Sequence, residues 1–129
     1  MSAFSDALSV TSSGLRAQAN RLRVVSENIA NADTPGYRRK TIPFEIERTG
    51  SDLARVQAGK PNLDKTELAR IHDPSHPLSD ASGHYEGSNV DLIIEIADAR
   101  EAQRSYEANL KMFDQTRQMS TGLMDLLRR

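Results

Sequence analysis

The chain has 129 residues, and its 17 Lys and Arg against 18 Asp and Glu leave a net charge of -1 with no basic block in either half, which disfavours binding to DNA or RNA. Hydrophobic residues make up 37% and aromatic residues 5%, with no tryptophan, so the apolar material for a private core is thin. The absence of cysteine excludes disulfides, thiolate metal sites and a cysteine nucleophile.

The N-terminal segment, residues 1–33, predicts one long helix. A heptad stripe runs along it, formed by Leu8, Leu15, Leu22, Val25 and Ile29. Such a helix would be roughly 40 Å long, and its narrow apolar stripe needs another helix to cover it. The first residues carry no positively charged region followed by an apolar run, so we expect no cleaved secretory signal. No stretch is apolar for long enough to predict a membrane-spanning helix.

Two features limit this first helix. The run Thr11 to Gly14 consists of weak helix formers in mid-helix, which predicts a helix that is marginal in isolation. The helix must stop near Asn31 to Asp33, because Thr34 precedes a proline and Gly36 allows a turn with positive φ. Local capping of the helix end is the simplest explanation for Asn28 and Asn31, although capping alone would not require both.

The middle segment, residues 34–87, predicts loops with short β-strands or a hairpin. Ile42, Phe44 and Ile46 alternate with polar residues, which is typical of a one-faced strand, and Pro43 confines it to an edge or an isolated hairpin. A second strand is possible at residues 67–71, and frequent glycine and proline indicate loop elsewhere. We expect mostly loop with one small β ribbon.

The C-terminal segment, residues 88–129, predicts a second long helix of roughly 57 Å. Ser88 and Asp91 form a capping box with Asp in place of Glu, so the helix should begin there. Its apolar stripe has helical spacing and includes Ile96, Tyr106, Leu110, Phe113, Met124 and Leu127. The charged residues between them have spacings that favour a solvated face.

No residue pattern in the chain predicts catalysis or a cofactor. His72, His76 and His84 are the only candidate metal cluster, and Pro74 and Pro77 spoil the helical geometry that the first two would need, so exposed loop histidines are the better interpretation. There is no Gly-x-Ser-x-Gly elbow, dinucleotide fingerprint or P-loop. We therefore predict no catalytic, cofactor-binding or metal residues. The basic run Arg38-Arg39-Lys40 is a weak interface candidate that is more often simply solvated.

Four segments together resemble a known family. They are Gly14-Leu15, the turn from Asn28 to Tyr37, Ser88-Asn89-Val90-Asp91 and Tyr106-Glu107-Ala108-Asn109. The chain resembles the bacterial flagellar basal-body rod proteins at both of its ends. Residues that match the family motif, and that the resemblance assigns to an intersubunit turn, are Asn28, Asn31, Thr34, Pro35, Gly36, Tyr37, Asn89, Asp91 and Asn109. The short middle leaves no room for the large inserted domains of the distal rod and hook proteins, so the chain resembles the two sister proximal rod proteins. The motif Ser88-Asn89-Val90-Asp91 resembles one of these two more than the other, which stays the alternative.

The resemblance implies a mainly α fold in which the two terminal helices pair as an antiparallel coiled coil, as one axial core domain. The seam residues named above would face each other and pack beside equivalent helices of neighbours to build a hollow tube. The turn from Asn28 to Tyr37 and its following strand would bridge to adjacent subunits. Polar residues at Gln18, Gln103 and Arg117 interrupt the seam, and either fix its register or contact neighbours.

The implied function is that of a structural subunit, without a cofactor, which polymerises into the proximal part of the rod. The rod is a drive shaft that transmits torque from motor to hook and encloses the export channel. Implied partners are other copies of the chain, other rod proteins, the junction protein at the rod base and the flagellar export gate. The resemblance also implies type III export without signal cleavage and a place in the periplasmic rod.

Two other classes of function fit the same residues less fully. A coiled-coil adaptor that forms a closed dimer would show the same heptads but would never polymerise. A small metal-dependent enzyme using His72 and His76 would have to retain its metal after dialysis. We rank the enzyme last.

Overall fold

The computed structural model describes residues 2–48, 50 and 52–128. Met1, Thr49, Ser51 and Arg129, which fall within the three predicted segments, lie outside that description. Helix α1 spans Ser2–Ala30 and helix α2 spans Leu92–Leu127. With 52% of the described residues in helix and short antiparallel strands between the two helices, the fold is mainly α, as predicted.

Helix α1 ends at Ala30, just before the predicted stop. The amide of Asn31 still bonds the carbonyl of Glu27 at 3.2 Å, and the amide of Thr34 then turns back onto the carbonyl of Asn31 at 3.0 Å. Gly36 follows with φ of 74°, a conformation that side chains with a Cβ disfavour. The chain therefore leaves the helix through two tight turns and continues as extended backbone.

Helix α2 begins at Leu92 with Asp91 as its N-cap, whose carboxylate accepts a hydrogen bond from the amide of Ile93 at 3.0 Å. The prediction that Ser88 opens this helix through a capping box is wrong. The hydroxyl of Ser88 instead donates to the carbonyl of Ala32, beyond the end of α1. Asp91 is itself extended, with φ of -105° and ψ of 111°, so Ser88 lies too far outside the helix to cap it.

The two helices lie antiparallel. Asn28 of α1 contacts Glu95 of α2 at 3.2 Å, and Arg21 reaches Glu101 at 3.4 Å. Farther along, Gly14 lies against the side chain of Asn109. Because α2 has 36 residues and α1 has 29, the last turns of α2 extend past α1, and residues 121–128 are exposed.

The interior is small and half polar. Among the described residues the buried hydrophobic side chains are Ala17, Val24, Val25 and Ala102. The buried polar or charged residues are Ser13, Asn28, Ser88 and Glu95. The thin core expected from the composition is thus completed by polar groups, which must satisfy one another to be tolerated there.

Three two-stranded antiparallel ribbons form in the described part of the middle segment: β1 with β4, β2 with β3, and β5 with β6. Their bounds are β1 Lys40–Thr41, β2 Phe44–Arg48, β3 Ala54–Ala58, β4 Asn62–Leu63, β5 Arg70–His72 and β6 His84–Glu86. The expectation of one small ribbon is therefore an underestimate. Pro43 directly precedes β2, which pairs with β3 in a separate two-stranded ribbon. Proline has no N–H to donate to a ladder, so a place at the start of an edge strand suits it.

Within residues 2–48, 50 and 52–128, neither helix has a stretch that is both long and apolar enough to cross a lipid bilayer.

Candidate functional site: a polar junction at the base of the helix pair

Four side chains and the backbone of Lys40 meet where the end of α1, the start of α2 and strand β1 come together. This polar junction consists of Asn28, Arg39, Lys40, Glu95 and Asp98. Asn28 is on the last turns of α1, Arg39 and Lys40 follow the Gly36 turn, and Glu95 and Asp98 share one face of α2 at i, i+3 spacing. The junction fixes the path of the chain between its three segments.

Asn28 is the centre of the junction and is completely buried. Its amide nitrogen donates to the carbonyl of Lys40 at 2.8 Å and to Oε2 of Glu95 at 3.2 Å. Its amide oxygen accepts from the Lys40 backbone N–H and from the Tyr37 hydroxyl, both at 2.9 Å. The side chain thus pairs with Lys40 as a neighbouring strand would, and all its hydrogen-bonding groups are satisfied. Helix capping does not explain Asn28, whereas it does explain Asn31, which bonds the carbonyl of Glu27 at 2.8 Å.

Glu95 is also completely buried, and its carboxylate forms an ion pair with the guanidinium of Arg39. Arg39 extends the pair to Asp98, whose Oδ2 accepts from Nη2 at 2.9 Å. The predictions that the charges of α2 form a solvated face, and that the basic run Arg38-Arg39-Lys40 is merely solvated, are therefore wrong for Glu95 and Arg39. A charge can be buried when a well-placed partner and further hydrogen bonds replace its hydration, as Arg39 and Asn28 do for Glu95.

The junction also binds the middle segment through Asn89. Its amide oxygen accepts from the Arg39 backbone N–H at 2.5 Å, and its nitrogen donates to the carbonyls of Asp64 and Thr66 at 3.0 and 3.1 Å. Arg38 donates to the same two carbonyls at 3.2 and 3.1 Å. The loop after β4 is therefore held against both the Gly36 turn and the start of α2.

A more exposed ion pair borders the junction. The ammonium of Lys40 lies 2.9 Å from the Glu27 carboxylate. Its hydrogen bond lowers the pKa of Glu27 and, in return, raises the pKa of Lys40. Burial raises the pKa of the Tyr37 hydroxyl, so Tyr37 stays protonated while Asn28 accepts its hydrogen bond.

A second contact region explains the weak helix formers in the middle of α1. The hydroxyl of Ser13 donates to the Val10 carbonyl at 2.7 Å and accepts from the backbone N–H of Val56 on β3 at 3.2 Å. A Cβ on Gly14 would lie 3.0 Å from the amide nitrogen of Asn109 on α2. The small residues therefore let β3 and α2 approach α1 closely, at a cost in helix propensity.

We expect Gly14→Val to destabilise the chain by about 1 to 3 kcal/mol, because the branched side chain must displace Asn109 or separate the helices. The matched control is Gly122→Val on the exposed end of α2, where a Cβ would meet nothing within 4 Å. Urea unfolding followed by circular dichroism measures both. Equal effects of the two substitutions would show that close approach at Gly14 is unimportant.

The predicted seam residues have different environments in the single chain. Val25 is buried, and Leu8, Leu15, Leu22, Tyr106 and Phe113 are partly buried. Five others are exposed: Ile29, Ile96, Leu110, Met124 and Leu127. The helices of one chain therefore cover only part of the seam, and packing of the exposed part stays a prediction about the assembled state.

The predicted motif residues mostly serve contacts within the chain. Asn28, Tyr37 and Asn89 belong to the polar junction or contact it, and Asn109 lies against Gly14. The hydroxyl of Thr34 donates to Asn31 at 3.1 Å, next to Pro35. The amide of Gly36 donates to the carbonyls of Glu86 and Gly87 at 3.2 and 3.0 Å. Sequence reasoning missed Glu95 and Asp98, whose one signal was an acidic pair on the same face near the start of α2.

The three histidines lie around the β5–β6 ribbon. The rings of His72 and His84 are 4.6 Å apart, and His76 stacks on Tyr85 at 3.9 Å. Across residues 2–48, 50 and 52–128 no three His, Cys, Asp or Glu side chains are arranged to hold a metal ion. These rings therefore pack as part of the ribbon and its loop.

Asp80 organises that loop. A hydrogen bond from the Ser82 hydroxyl, helped by the backbone N–H of His84, lowers the pKa of Asp80 from its usual 3.8 to about 2. Because the folded-state pKa is depressed, this stabilisation is present above about pH 4 and is lost as the pH falls through the folded-state value. We expect the amide resonances of Ser82 and His84 to titrate near pH 2, and Asp80→Asn to abolish that step. A titration midpoint near pH 3.8 would contradict the hydrogen bonds from Ser82 and His84 to the Asp80 carboxylate.

Comparisons with known proteins agree with the resemblance seen in the sequence. Residues 8–38 match a family described as flagella basal body rod protein, and residues 81–126 match one described as flagellar basal body rod FlgEFG protein C-terminal. The flagellar basal-body rod protein FlgC of Agrobacterium fabrum is 44% identical, with 99% of this chain and 98% of its own length aligned. FlgC of Bacillus subtilis is 32% identical over 98% of this chain and 99% of its own length. FlgC of Salmonella typhimurium is 29% identical over 91% and 92%.

These relatives decide between the classes left open by the sequence. They are structural rod proteins, so the interpretation as an enzyme is excluded, and of the two sister proximal rod proteins FlgC is favoured over FlgB. The alignment with the Agrobacterium fabrum protein covers almost the whole chain, including its middle segment. The chain belongs to the flagellar basal-body rod protein family and is a FlgC-like structural subunit of the basal body.

Proposed function

We propose that the chain polymerises into the proximal part of the rod, where it transmits torque from motor to hook and encloses the export channel. One observation carries this proposal: large apolar side chains lie exposed at both ends of α2. At its start Ile93 is 80% exposed, and at its end Leu127 is 79% exposed. Monomeric proteins rarely leave such sets uncovered, so neighbouring subunits are the natural cover.

The exposed seam residues define where neighbours would pack. Ile29 and Ile96 lie at the junction end of the helix pair, Leu110 lies midway, and Met124 lies on the overhanging end of α2. We propose that the helices complete their coiled coil only with helices of adjacent copies, as knobs packing into holes between subunits. The helix pair would then form the tube wall.

The polar junction supplies the stiffness that a drive shaft needs. Glu95, Arg39 and Asn28 lock the angle between the helix pair and the middle segment through buried bonds rather than through a flexible linker. Because a buried polar network tolerates little change in geometry, torque applied to the middle segment would pass to the helices with little bending. The family motif, with its intersubunit turn, would then position the middle segment against adjacent subunits.

The remaining parts of the proposal rest on family membership. The partners would be other rod proteins, the junction protein at the rod base and the export gate beneath it. The chain would reach the periplasmic rod through the flagellar export apparatus, without cleavage of a signal, and fold on the growing structure.

A dilution series tests polymerisation most simply. We expect helical content by circular dichroism to rise with concentration, together with sedimentation of open-ended species, because covering the exposed apolar faces stabilises the helices. A dilute monomer that is fully helical and melts cooperatively would contradict coupling of folding to assembly. A closed oligomer of fixed mass at every concentration would instead favour the coiled-coil adaptor.

A further inference from the structure

The outer edges of the three ribbons are not equally protected. On β1 the N–H and C=O of Lys40 are bonded by the Asn28 side chain. On β3 the outward N–H of Val56 is bonded by Ser13. On β6 the carbonyls of Glu86 and His84 accept from the amides of Gly36 and Asp80. Three ribbon edges are thus covered by the chain itself.

The edge of β2 is open in the described structure. Gly59 donates to the Pro43 carbonyl at 2.8 Å, and bonded and non-bonded pairs alternate along an antiparallel ladder. Glu45 and Glu47 therefore pair with β3, while the backbone groups of Ile46 point outward. The Ile46 side chain is also 68% exposed. Such an edge is a template for another strand.

The edge of β5 is open in the same way. Gly87 donates to the Ala69 carbonyl at 2.7 Å, and Asp73 donates to the Gly83 carbonyl at 2.9 Å. The residue pairs just before and just after β5 in sequence are therefore hydrogen-bonded pairs of the ladder. By alternation the N–H and C=O groups of Arg70 and His72 point away from β6. Between them Ile71 is 37% exposed.

We propose that β2 of one copy pairs in parallel with β5 of a second copy. This inference rests on the proposed polymerisation and names one contact by which copies join. In a parallel ladder the outward groups of Ile46 would bond the carbonyl of Arg70 and the N–H of His72, which are the outward groups of β5. Ile46 then lies opposite Ile71.

The same register matches charge along both strands. It places Glu45 opposite Arg70 and Arg48 opposite Asp73. Opposite charges directly across neighbouring strands stabilise pairing. An antiparallel arrangement that uses the same outward groups would place Ile46 opposite Arg70 or His72, so the isoleucines would not meet. The contact between the isoleucines and the charge pairs together therefore favour the parallel register.

Charge disfavours pairing between the β2 edges of two copies. Two β2 strands would bring glutamates together, and like charges directly opposite each other destabilise pairing. Because β2 and β5 are different surfaces, their contact is heterologous, and repeated from copy to copy it builds an open helical assembly wherever its rotation does not close into a ring. That is the geometry a growing rod requires.

Cysteine cross-linking in isolated basal bodies tests the contact, because the native chain has no cysteine. Facing residues in neighbouring strands lie about 5 Å apart, within disulfide range. The double variant I46C/I71C should give a reducible ladder of cross-linked copies under mild oxidation. Neither single variant should, and neither should I46C/L63C, which places the second cysteine on the exposed edge of β4.

Three outcomes would overturn the proposal. If I46C/I71C chains are present in basal bodies but give no ladder of cross-linked copies, the strand contact is wrong. An equal ladder from I46C/L63C would contradict it as well. Neither result would contradict the proposed polymerisation. Absence of the wild-type chain from basal bodies would overturn the proposed function as well.

A charge exchange tests the register without cysteine. We expect E45R and R70E each to lower incorporation into basal bodies about fivefold, and the double variant E45R/R70E to restore it. The contact of Arg70 with Asp80 in its own chain, at 3.8 Å between exposed side chains, contributes little. Wild-type incorporation of the single variants, or failure of the double variant to recover, would contradict the pairing.

Discussion

Replacing Arg39 with methionine should destabilise the folded chain by about 3 to 5 kcal/mol, because it leaves the completely buried Glu95 carboxylate without its cation. The variant should therefore unfold at a clearly lower urea concentration than the wild type at the same chain concentration. Urea unfolding at a fixed concentration measures the effect through helical circular dichroism.

Two further variants separate the lost ion pair from the lost side chain. Arg104→Met, at an exposed position on α2, should change the free energy of unfolding little. The double variant Arg39→Met/Glu95→Leu should recover much of the loss, because it removes the buried carboxylate together with its cation, and Asp98 keeps its ion pair with Arg21 at 3.5 Å. If the double variant were less stable than Arg39→Met alone, the unpaired charge would not be the cause.

Replacing Asn28 with alanine should cost about 3 kcal/mol. The substitution removes four hydrogen bonds and leaves the backbone groups of Lys40, the Tyr37 hydroxyl and one Glu95 oxygen short of partners. Exposed polar groups would regain water, but Asn28 and Glu95 are completely buried, so the groups there would stay unsatisfied.

The neighbouring asparagine is the matched control. Asn31→Ala removes a bond to the Glu27 carbonyl and one from Thr34, at an exposed turn, and should cost about 1 kcal/mol. The same urea titration compares the two variants. Equal losses would mean that both residues only cap the end of α1, and that the polar junction does not hold the chain together.

Both long helices and the turn between α1 and the middle segment could be predicted from sequence, because their causes are local. Heptad spacing marks the stripe on α1, and Thr34-Pro35-Gly36 forces the chain out of the helix. The sequence could not predict that Asp91 rather than Ser88 caps α2, because the Ser88 hydroxyl bonds the carbonyl of Ala32, which is distant in sequence.

The polar junction was beyond sequence reasoning for a physical reason. A charge on a helix is solvated unless a partner arrives from elsewhere, and the partner of Glu95 is Arg39, which is 56 residues away in sequence. The Ser13-Gly14 pair is similar, because its weak helix propensity is visible locally whereas its contacts with Val56 and Asn109 are not. The family motif marked several of these positions but gave no account of their bonds.

The small half-polar core and the exposed ends of α2 have one explanation, namely that neighbouring subunits complete the packing. The junction fixes the shape of a single chain, and the apolar faces left uncovered, from Ile93 at one end to Leu127 at the other, are completed by neighbours. The junction then sets the angle within each folded subunit, and the subunit is fully packed only within the rod.

Deletion of the gene tests this account most directly. If the chain is an essential subunit of the proximal rod, cells that lack it should assemble the earlier parts of the motor but build no hooks or filaments, and the wild-type gene should restore both. Normal motility with complete flagella after deletion would contradict the account.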